Sequence, residues 1–217
     1  MKFRAVLFDL DGTLLDTIED LGDSMNTVLA SFGLPPHGYD KYKVYVGDGV
    51  ETLVRRALPE GRRDEETVRK SVELMREEYG KRWKVKTRPY DGIPELLDGL
   101  TRLNVHKAIL SNKPDDFTKL IVKKFFARWK FDTAQGLEPG GKKKPDPAGA
   151  LKIAEELNIK PADFVYLGDT NTDMQTALAA GMYPVGALWG FRSKQELASS
   201  GAKLLLEQPQ ELLKLFK

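Results

Sequence analysis

Two aspartates, spaced two residues apart after a short apolar run, are the first residues whose types suggest chemistry. The apolar run at residues 5–8 leads directly into Asp9, Leu10, Asp11 and Gly12. Such a run predicts a buried strand that ends at a site. If the strand stays regular, Asp9 and Asp11 point the same way, and Gly12 lets the backbone turn beyond them. Because close carboxylates repel unless they share a cation or a proton, the pair indicates divalent-metal binding or acid–base chemistry.

Three further polar groups follow predicted strands or lie in a basic loop. Ser111-Asn112 follows the apolar residues 105–110, Lys144 ends a run of three lysines before Pro145-Asp146-Pro147, and residues 168–173 follow the apolar residues 164–167. In open α/β sheets, ligands bind beyond the carboxyl ends of the strands. The sequence therefore predicts that these groups gather at one edge of a sheet.

The elements that position these groups alternate between short strands and amphipathic helices, which is typical of a parallel sheet flanked by helices. We predict an α/β fold with a three-layer, Rossmann-like parallel-sheet core. The predicted strands are 5–8, 105–110, 131–134, 164–167, 183–188 and 203–206. The predicted helices are 93–103, 117–126, 147–157, 172–180 and 210–216.

Residues 17–86 interrupt this alternation with a charged stretch of helical periodicity. Helices are predicted at 18–32, 39–46, 50–58 and 65–82, separated by Gly and Pro signals. The chain returns to the core near residues 88–92. The organisation is therefore a core formed by residues 1–16 and 87–217, with a helical insertion at 17–86.

Composition limits the function classes. The 217 residues suffice for one domain and an insertion. With 34 basic and 32 acidic residues, nothing indicates nucleic acid as a partner. The sequence contains no cysteine, which excludes disulfides, thiolate metal sites and a cysteine nucleophile. No signal peptide or membrane-spanning stretch is recognised, so we expect a cytoplasmic protein with no membrane partner.

The motif Asp9-x-Asp11-Gly12-Thr13-Leu14 resembles the first motif of the haloacid dehalogenase-like superfamily, whose members are mostly phosphatases. The other three groups resemble the remaining motifs of that superfamily and occur in the same order, from residue 9 to residue 173. The resemblance implies that the insertion at 17–86 is an α-helical cap domain. Several carboxylates facing a phosphate dianion would repel it, so the expected cofactor is Mg²⁺, which prefers oxygen ligands.

By resemblance, Asp9 is the nucleophile and a metal ligand. Asp11 gives its backbone carbonyl to the metal, and its carboxyl acts first as general acid and then as general base. Asp169 supplies a further metal-binding carboxylate, and Asp173 holds metal-bound waters. Ser111 and backbone N–H groups near Asn112 and Gly12 bind phosphoryl oxygens.

The same resemblance makes Lys144 the cation that neutralises charge on the phosphoryl group in the transition state. Taken alone, each motif also fits a structural role. Ser111-Asn112 is a plausible helix cap, and a lysine run is usually a solvated face. Residues 168–173 also suit the start of a helix, where acidic residues are favourable.

Substrate selection is expected to depend on the cap. Residues 46–53, 89–92 and 189–192 resemble the phosphoglycolate phosphatase branch, whose neighbours include pyrophosphatases and sugar phosphatases. Gly47 and Gly49 would let a cap loop approach the site closely, and N–H groups at the start of the helix at Val50 would be available to an anion such as a carboxylate. An ordinary helix–helix turn fits equally well. Arg192 is a candidate substrate contact, against the alternative of an ordinary surface arginine.

The sequence therefore predicts a Mg²⁺-dependent phosphomonoesterase that forms an aspartyl-phosphate. Its predicted substrate is a small phosphorylated metabolite, with 2-phosphoglycolate favoured, and it is predicted to be a monomer or homodimer. Alternatives are a phosphomutase, a pyrophosphatase, and a sugar or nucleotide phosphatase of the same superfamily. A haloacid dehalogenase would not need Asp11 as a second acid, and the intact catalytic set disfavours a non-enzymatic phosphate sensor.

Overall fold

A six-stranded parallel sheet forms the centre of the computed structural model, which describes residues 3–216. Its strands are β1 (Ala5–Phe8), β4 (His106–Pro114), β5 (Thr133–Leu137), β6 (Phe164–Gly168), β7 (Tyr183–Ala187) and β8 (Leu204–Leu206), with β2 and β3 in a separate ribbon described below. The strand order is β5-β4-β1-β6-β7-β8, so β1 lies inside the sheet between β4 and β6.

Helices cover both faces of this sheet. They are α5 (Ile93–Arg102), α6 (Asp115–Phe125), α7 (Ala148–Glu156), α8 (Asn171–Ala179) and α9 (Lys194–Ser199). Along β1, Val6 and Phe8 belong to one apolar cluster, and Ala5 and Leu7 belong to another. A strand buried on both faces reads as a continuous apolar run rather than an alternating one. The predicted three-layer Rossmann-like core is therefore confirmed.

Four helices, called the cap helices here, lie between the first strand and the rest of the core. They are α1 (Ile18–Ser31), α2 (Tyr39–Tyr45), α3 (Val50–Ala57) and α4 (Glu65–Arg82). All four lie where the sequence places them, and α4 starts at an N-cap, Asp64, whose side chain accepts a hydrogen bond from the Thr67 amide at 2.9 Å. The division into two domains at residues 16/17 and 86/87 stays a prediction.

A short antiparallel ribbon at the base of the cap helices was not predicted from the sequence. Its strands are β2 (Leu15–Asp16) and β3 (Arg88–Pro89), which carry the chain into and out of the cap helices. Beside them, the buried Asp20 carboxylate accepts hydrogen bonds from the Lys86 and Thr87 amides and from the Thr87 hydroxyl. Two-residue strands show no periodicity, so hydrophobic patterning does not detect them.

Three predicted elements differ most from the structure. The strand expected at 105–110 runs on to Pro114, so Ser111 and Asn112 lie within it rather than after it. The strand expected at 131–134 is Thr133–Leu137, because Phe131 packs in the core against Phe8 and the strand itself is only half-buried. The helix expected at 210–216 is a 3₁₀ helix at Pro209–Phe216. Across residues 3–216, no helix combines the length and apolarity needed to cross a membrane.

Candidate active site

The predicted motif residues lie at the carboxyl ends of three neighbouring strands. Asp9 follows β1, Ser111 lies near the end of β4, and Asp169 follows β6. Asp173 joins them from the first turn of α8, and Lys144 from the loop before α7. The parallel topology thus brings together residues as far apart in sequence as Asp9 and Asp173.

Three buried carboxylates form the centre of this site. Oxygen atoms of Asp9, Asp169 and Asp173 lie within 4.8 Å of one another. The Lys144 ammonium, itself buried, lies 2.7 Å from Asp9 Oδ1 and 2.6 Å from Asp173 Oδ1. No donor among the described residues bonds Asp9 Oδ2. Lys144 therefore fixes one Asp9 oxygen and leaves the other unengaged.

The positive charge next to the carboxylates of Asp9, Asp169 and Asp173 does not balance their negative charge. Burial, together with the nearby Asp173 carboxylate, raises the pKa of Asp9 well above its ordinary value, although Lys144 opposes the rise. Burial and Asp173 likewise raise the pKa of Asp169 to about 7. Among the described residues, Lys144 is the one ammonium within hydrogen-bond distance of these three carboxylates. Their oxygen donors and their unbalanced charge suit a hard divalent cation, so Asp9, Asp169 and Asp173 are the residues that could hold one.

Two polar contacts orient the Asp169 carboxylate. The Thr13 hydroxyl donates to Oδ1 at 2.9 Å, and the Phe191 amide donates to Oδ2 at 2.8 Å. Gly12, at φ +90°, passes so close that any Cβ there would overlap this carboxylate. Glycine is therefore required at position 12 both for its φ and for this close approach.

Asp173 has a structural task besides its place in the cluster. Its Oδ2 accepts hydrogen bonds from the Thr170 amide at 3.0 Å and from the Thr170 hydroxyl at 2.7 Å, which completes a capping box at the start of α8. The alternative reading of residues 168–173 as a helix start is thus also correct. The same carboxylate caps the helix and, through Oδ1, binds Lys144.

Asp11 is paired with a lysine that sequence reasoning missed. The Lys113 ammonium lies 2.8 Å from Asp11 Oδ1 and 2.7 Å from Oδ2, and the Lys113 side chain is only 4% exposed. The available signal was its position, directly after Ser111-Asn112 at the end of a predicted strand. The pairing of β1 with β4, which brings Lys113 to Asp11, was not visible in the sequence.

The side chain of Asn112 forms hydrogen bonds both to the core and to the loop between two cap helices. Its Oδ1 accepts from the Lys144 amide at 2.8 Å, and its Nδ2 donates to the Lys144 carbonyl at 3.1 Å and to the Gly47 carbonyl at 3.0 Å. Ser111 is buried beside it, with Oγ accepting from the Lys113 amide at 3.2 Å. Both residues therefore lie at the site, and their contacts with phosphate stay predictions.

The loop at residues 47–49 lies against the core motifs. Asp48 pairs with Arg56 at 2.6 Å and accepts from the Thr172 hydroxyl at 3.0 Å, and its carbonyl accepts from Lys143 at 3.1 Å. A Cβ on Gly49, which has φ +89°, would lie 3.5 Å from the Asn112 carbonyl oxygen. This loop therefore borders the site, as the resemblance implies.

Arg192 makes a structural contact that the sequence did not indicate. Its guanidinium donates to the backbone carbonyls of Lys43, Val44 and Val46 at the end of α2, and it pairs with Glu196. Its side chain is 8% exposed, so it is not an ordinary surface arginine. It ties the end of a cap helix to the core, and its contact with substrate stays a prediction.

Asp9 and Asp11 line a cavity of about 130 Å³ between the core and the cap helices. The core side is mainly polar, and the cap side is mainly apolar. The core contributes the polar Asp9, Asp11, Ser111, Asn112 and Lys113 together with Pro114 and Phe117; the cap contributes Leu21, Val46, Gly47, Gly49, Val50, Leu53, Val72, Met75, Arg76 and Tyr79. The arrangement thus places two carboxyl groups and a fixed ammonium beside a small, partly open cavity.

Comparisons with known proteins place this site in a family. Residues 6–187 match the family model described as haloacid dehalogenase-like hydrolase. Phosphoglycolate phosphatase 1 of Pseudomonas aeruginosa is 33% identical, over 97% of this chain and 78% of its own length. Phosphoglycolate phosphatase of Aquifex aeolicus is 34% identical, over 98% of this chain and 96% of its own. The crystal structure of a predicted phosphatase from Clostridium acetobutylicum superposes with a TM-score of 0.88 at 29% identity, over 99% of this chain and 98% of that one.

Proposed function

This chain belongs to the haloacid dehalogenase-like hydrolases and is a phosphatase, and we propose that it hydrolyses 2-phosphoglycolate through an aspartyl-phosphate on Asp9. The observation that carries the proposal is the state of Asp9. Lys144 holds one of its oxygens, the other accepts no hydrogen bond from the described residues, and Asp9 lines the cavity that Asp11 also lines. A carboxylate fixed in this way is suited to attack phosphorus.

In the first step, Asp9 bonds to phosphorus while the bond from phosphorus to the leaving oxygen breaks. The Asp11 carboxyl, in its protonated form, gives its proton to that oxygen, so the leaving group departs as an alcohol. The Lys113 ammonium holds both oxygens of the Asp11 carboxylate in the substrate-free protein. Asp11 therefore has to leave one of these contacts before it can act as the acid.

In the second step, the Asp11 carboxylate takes a proton from water as the water oxygen bonds to phosphorus. The bond between phosphorus and Asp9 breaks, which restores the Asp9 carboxylate and releases inorganic phosphate. Lys144 stays protonated throughout, because Asp9 and Asp173 raise its pKa despite the opposing effect of burial. It therefore supplies a constant positive charge beside the phosphoryl oxygens.

We propose Mg²⁺ as the cofactor, held by the carboxylates of Asp9 and Asp169, with the Asp11 backbone carbonyl as a further ligand and Asp173 behind bound water. When bound, the cation would neutralise the phosphoryl oxygens and offset the repulsion between them and the carboxylates. The buried, charge-deficient set of oxygen donors supports this assignment. Ser111 and the amides near Gly12 and Asn112 are the proposed neutral donors to phosphate.

The names of the relatives support 2-phosphoglycolate as the substrate. The cavity supports a small leaving group, since about 130 Å³ is well below the 300–1,000 Å³ typical of pockets for drug-sized ligands. A bulky sugar or nucleotide leaving group would require the cap helices to move away from the core. This observation favours a small metabolite over the sugar and nucleotide phosphates.

A phosphate-release screen tests the proposal. The purified protein is assayed against 2-phosphoglycolate, hexose phosphates, nucleoside monophosphates, pyrophosphate and a haloacid, with and without Mg²⁺. We expect Mg²⁺-dependent phosphate release, with the highest kcat/KM for 2-phosphoglycolate. A higher kcat/KM for another class would overturn the substrate assignment. Release that required a bisphosphate activator would indicate a phosphomutase, and halide release would indicate a dehalogenase.

A further inference from the structure

Lys113 is a buried cation that neither transfers a proton nor contacts phosphorus in the proposed reaction. It lines the cavity between the core and the cap helices. An ammonium has three donors, and here two of them go to the two oxygens of Asp11. One donor of Lys113 therefore remains for another partner.

Tyr79 lies next to this ammonium and also lines the cavity. Lys113 Nζ is 4.6 Å from the centroid of the Tyr79 ring, and the residue is only 4% exposed. Its hydroxyl is buried without a hydrogen-bond partner among the described residues. Buried polar groups are nearly always paired, and one left unpaired costs about 1–3 kcal/mol. The spare Lys113 donor interacts with the Tyr79 oxygen, but the hydroxyl hydrogen has no acceptor among the described residues. An acceptor that bound there would complete the site.

The charges around the cavity indicate the kind of acceptor. Asp9 and Asp11 both line it, so an anionic leaving group that entered would be repelled unless a cation met it. Arg76 is the other cation of the lining, but its side chain is 54% exposed and pairs with Asp116. Solvent weakens such exposed pairs. Lys113 is therefore the cation placed to receive a buried anion.

We infer that Lys113 and the Tyr79 hydroxyl form a subsite that binds the carboxylate of the leaving group and so selects carboxylate-bearing phosphomonoesters. The inference rests on the proposed function and names the residues that would recognise the carboxylate of the substrate. A carboxylate offers two oxygens, one for the free donor of the ammonium and one for the hydroxyl. The apolar cap side chains around it exclude water and strengthen both contacts.

The experiment compares two substrates that differ only in the group proposed to bind Lys113 and Tyr79. They are 2-phosphoglycolate and 2-hydroxyethyl phosphate, in which a neutral alcohol replaces the carboxylate. The readout is the ratio of their kcat/KM values. Lys113→Met should lower this ratio by about 10- to 100-fold, the range expected for a lost hydrogen bond to a charged group. Any effect of Lys113 on the chemistry of Asp11 would slow both substrates alike and leave the ratio unchanged.

Tyr79→Phe gives an independent measurement. It should lower the ratio by about 10- to 100-fold, because the hydroxyl would donate to a charged acceptor. The thermal unfolding temperature should change little, because this hydroxyl makes no hydrogen bond with any described residue. Should Lys113→Met not fold, this variant decides the question. A ratio unchanged in Tyr79→Phe would then overturn the inference.

Glycolate binding, measured without turnover, separates this inference from the proposed function. Wild-type protein should bind glycolate more tightly than ethylene glycol, and Lys113→Met should lose that preference. This result would support the subsite even if 2-phosphoglycolate were not hydrolysed. The inference would be wrong if wild type showed no preference, or if Arg76→Gln rather than Lys113→Met abolished it.

Discussion

Replacing Lys144 by methionine removes the ammonium that lies between the buried carboxylates of Asp9 and Asp173. The ammonium lies 2.7 Å from Asp9 and 2.6 Å from Asp173, and all three side chains are less than a tenth exposed. Removing one partner of a buried ion pair costs about 3–5 kcal/mol. Because Lys144 serves two carboxylates, we expect a loss near 5 kcal/mol in the free energy of unfolding of the metal-free protein. That is a large part of the roughly 5–15 kcal/mol that stabilises a typical domain.

The loss should depend on pH and on Mg²⁺. A carboxyl group whose pKa is raised on folding binds more protons in the folded than in the unfolded state, so stability falls as pH rises. For Asp169 this fall extends from an unfolded pKa near 3.9 to a folded value of about 7. Without Lys144, the fall should be steeper. Added Mg²⁺ should restore stability most at the upper end of this range, where the carboxylates are ionised.

Urea unfolding of wild type and Lys144→Met, across this pH range and with and without Mg²⁺, measures these effects. Lys142→Met is the matched control, because Lys142 is 72% exposed and its one ion pair among the described residues is with Asp146, at 3.4 Å. Its removal should cost less than about 1 kcal/mol. The reasoning is refuted if metal-free Lys144→Met is as stable as the control, or if its stability rises with pH over this range.

Three further predictions follow from individual contacts. Asp11→Asn should slow hydrolysis of an alkyl ester more than that of a nitrophenyl ester and let phosphoenzyme accumulate, whereas equal losses without trapped phosphoenzyme would remove Asp11 as the acid–base group. In Gly49→Val, the valine cannot keep the backbone at φ +89°, so the loop should shift. KM should therefore rise more for 2-phosphoglycolate than for acetyl phosphate. Equal effects on the two substrates in a folded variant would mean that this loop does not select the leaving group. Asp20→Ala should cost about 2–4 kcal/mol in urea unfolding, because the Lys86 and Thr87 amides lose their acceptor, and a loss below 1 kcal/mol would show that water replaces the carboxylate.

The sequence predicted what depends on hydrophobic periodicity and on motif order. The strand at 5–8 and the helix at 65–82 have the predicted bounds, because one is apolar throughout and the other has clear capping signals. The half-buried strand β5 begins and ends later than predicted, because its residues form no apolar run. The β2–β3 ribbon was missed because two residues carry no period.

Within the site, the sequence indicated which residues gather but not which partners they choose. Lys144 could be singled out from its lysine run only by the motif, whereas the structure distinguishes it by burial between two carboxylates. The pairing of Lys113 with Asp11 joins residues 102 positions apart. Such a pairing depends on strand order, which no local pattern reports. Arg192 bonding to cap-helix carbonyls is missed for the same reason.

The central claim is that Asp9 carries the phosphoryl group during turnover. Rapid acid quench with substrate labelled in the phosphoryl group, followed by peptide mapping, tests it most directly. We expect label on the peptide containing Asp9, released by hydroxylamine as an acyl phosphate and lost in a chase with unlabelled substrate. Asp9→Asn should take up no label and should keep less than about a hundredth of wild-type activity. Phosphate release by wild type with label on another residue, or turnover retained in Asp9→Asn, would contradict the account.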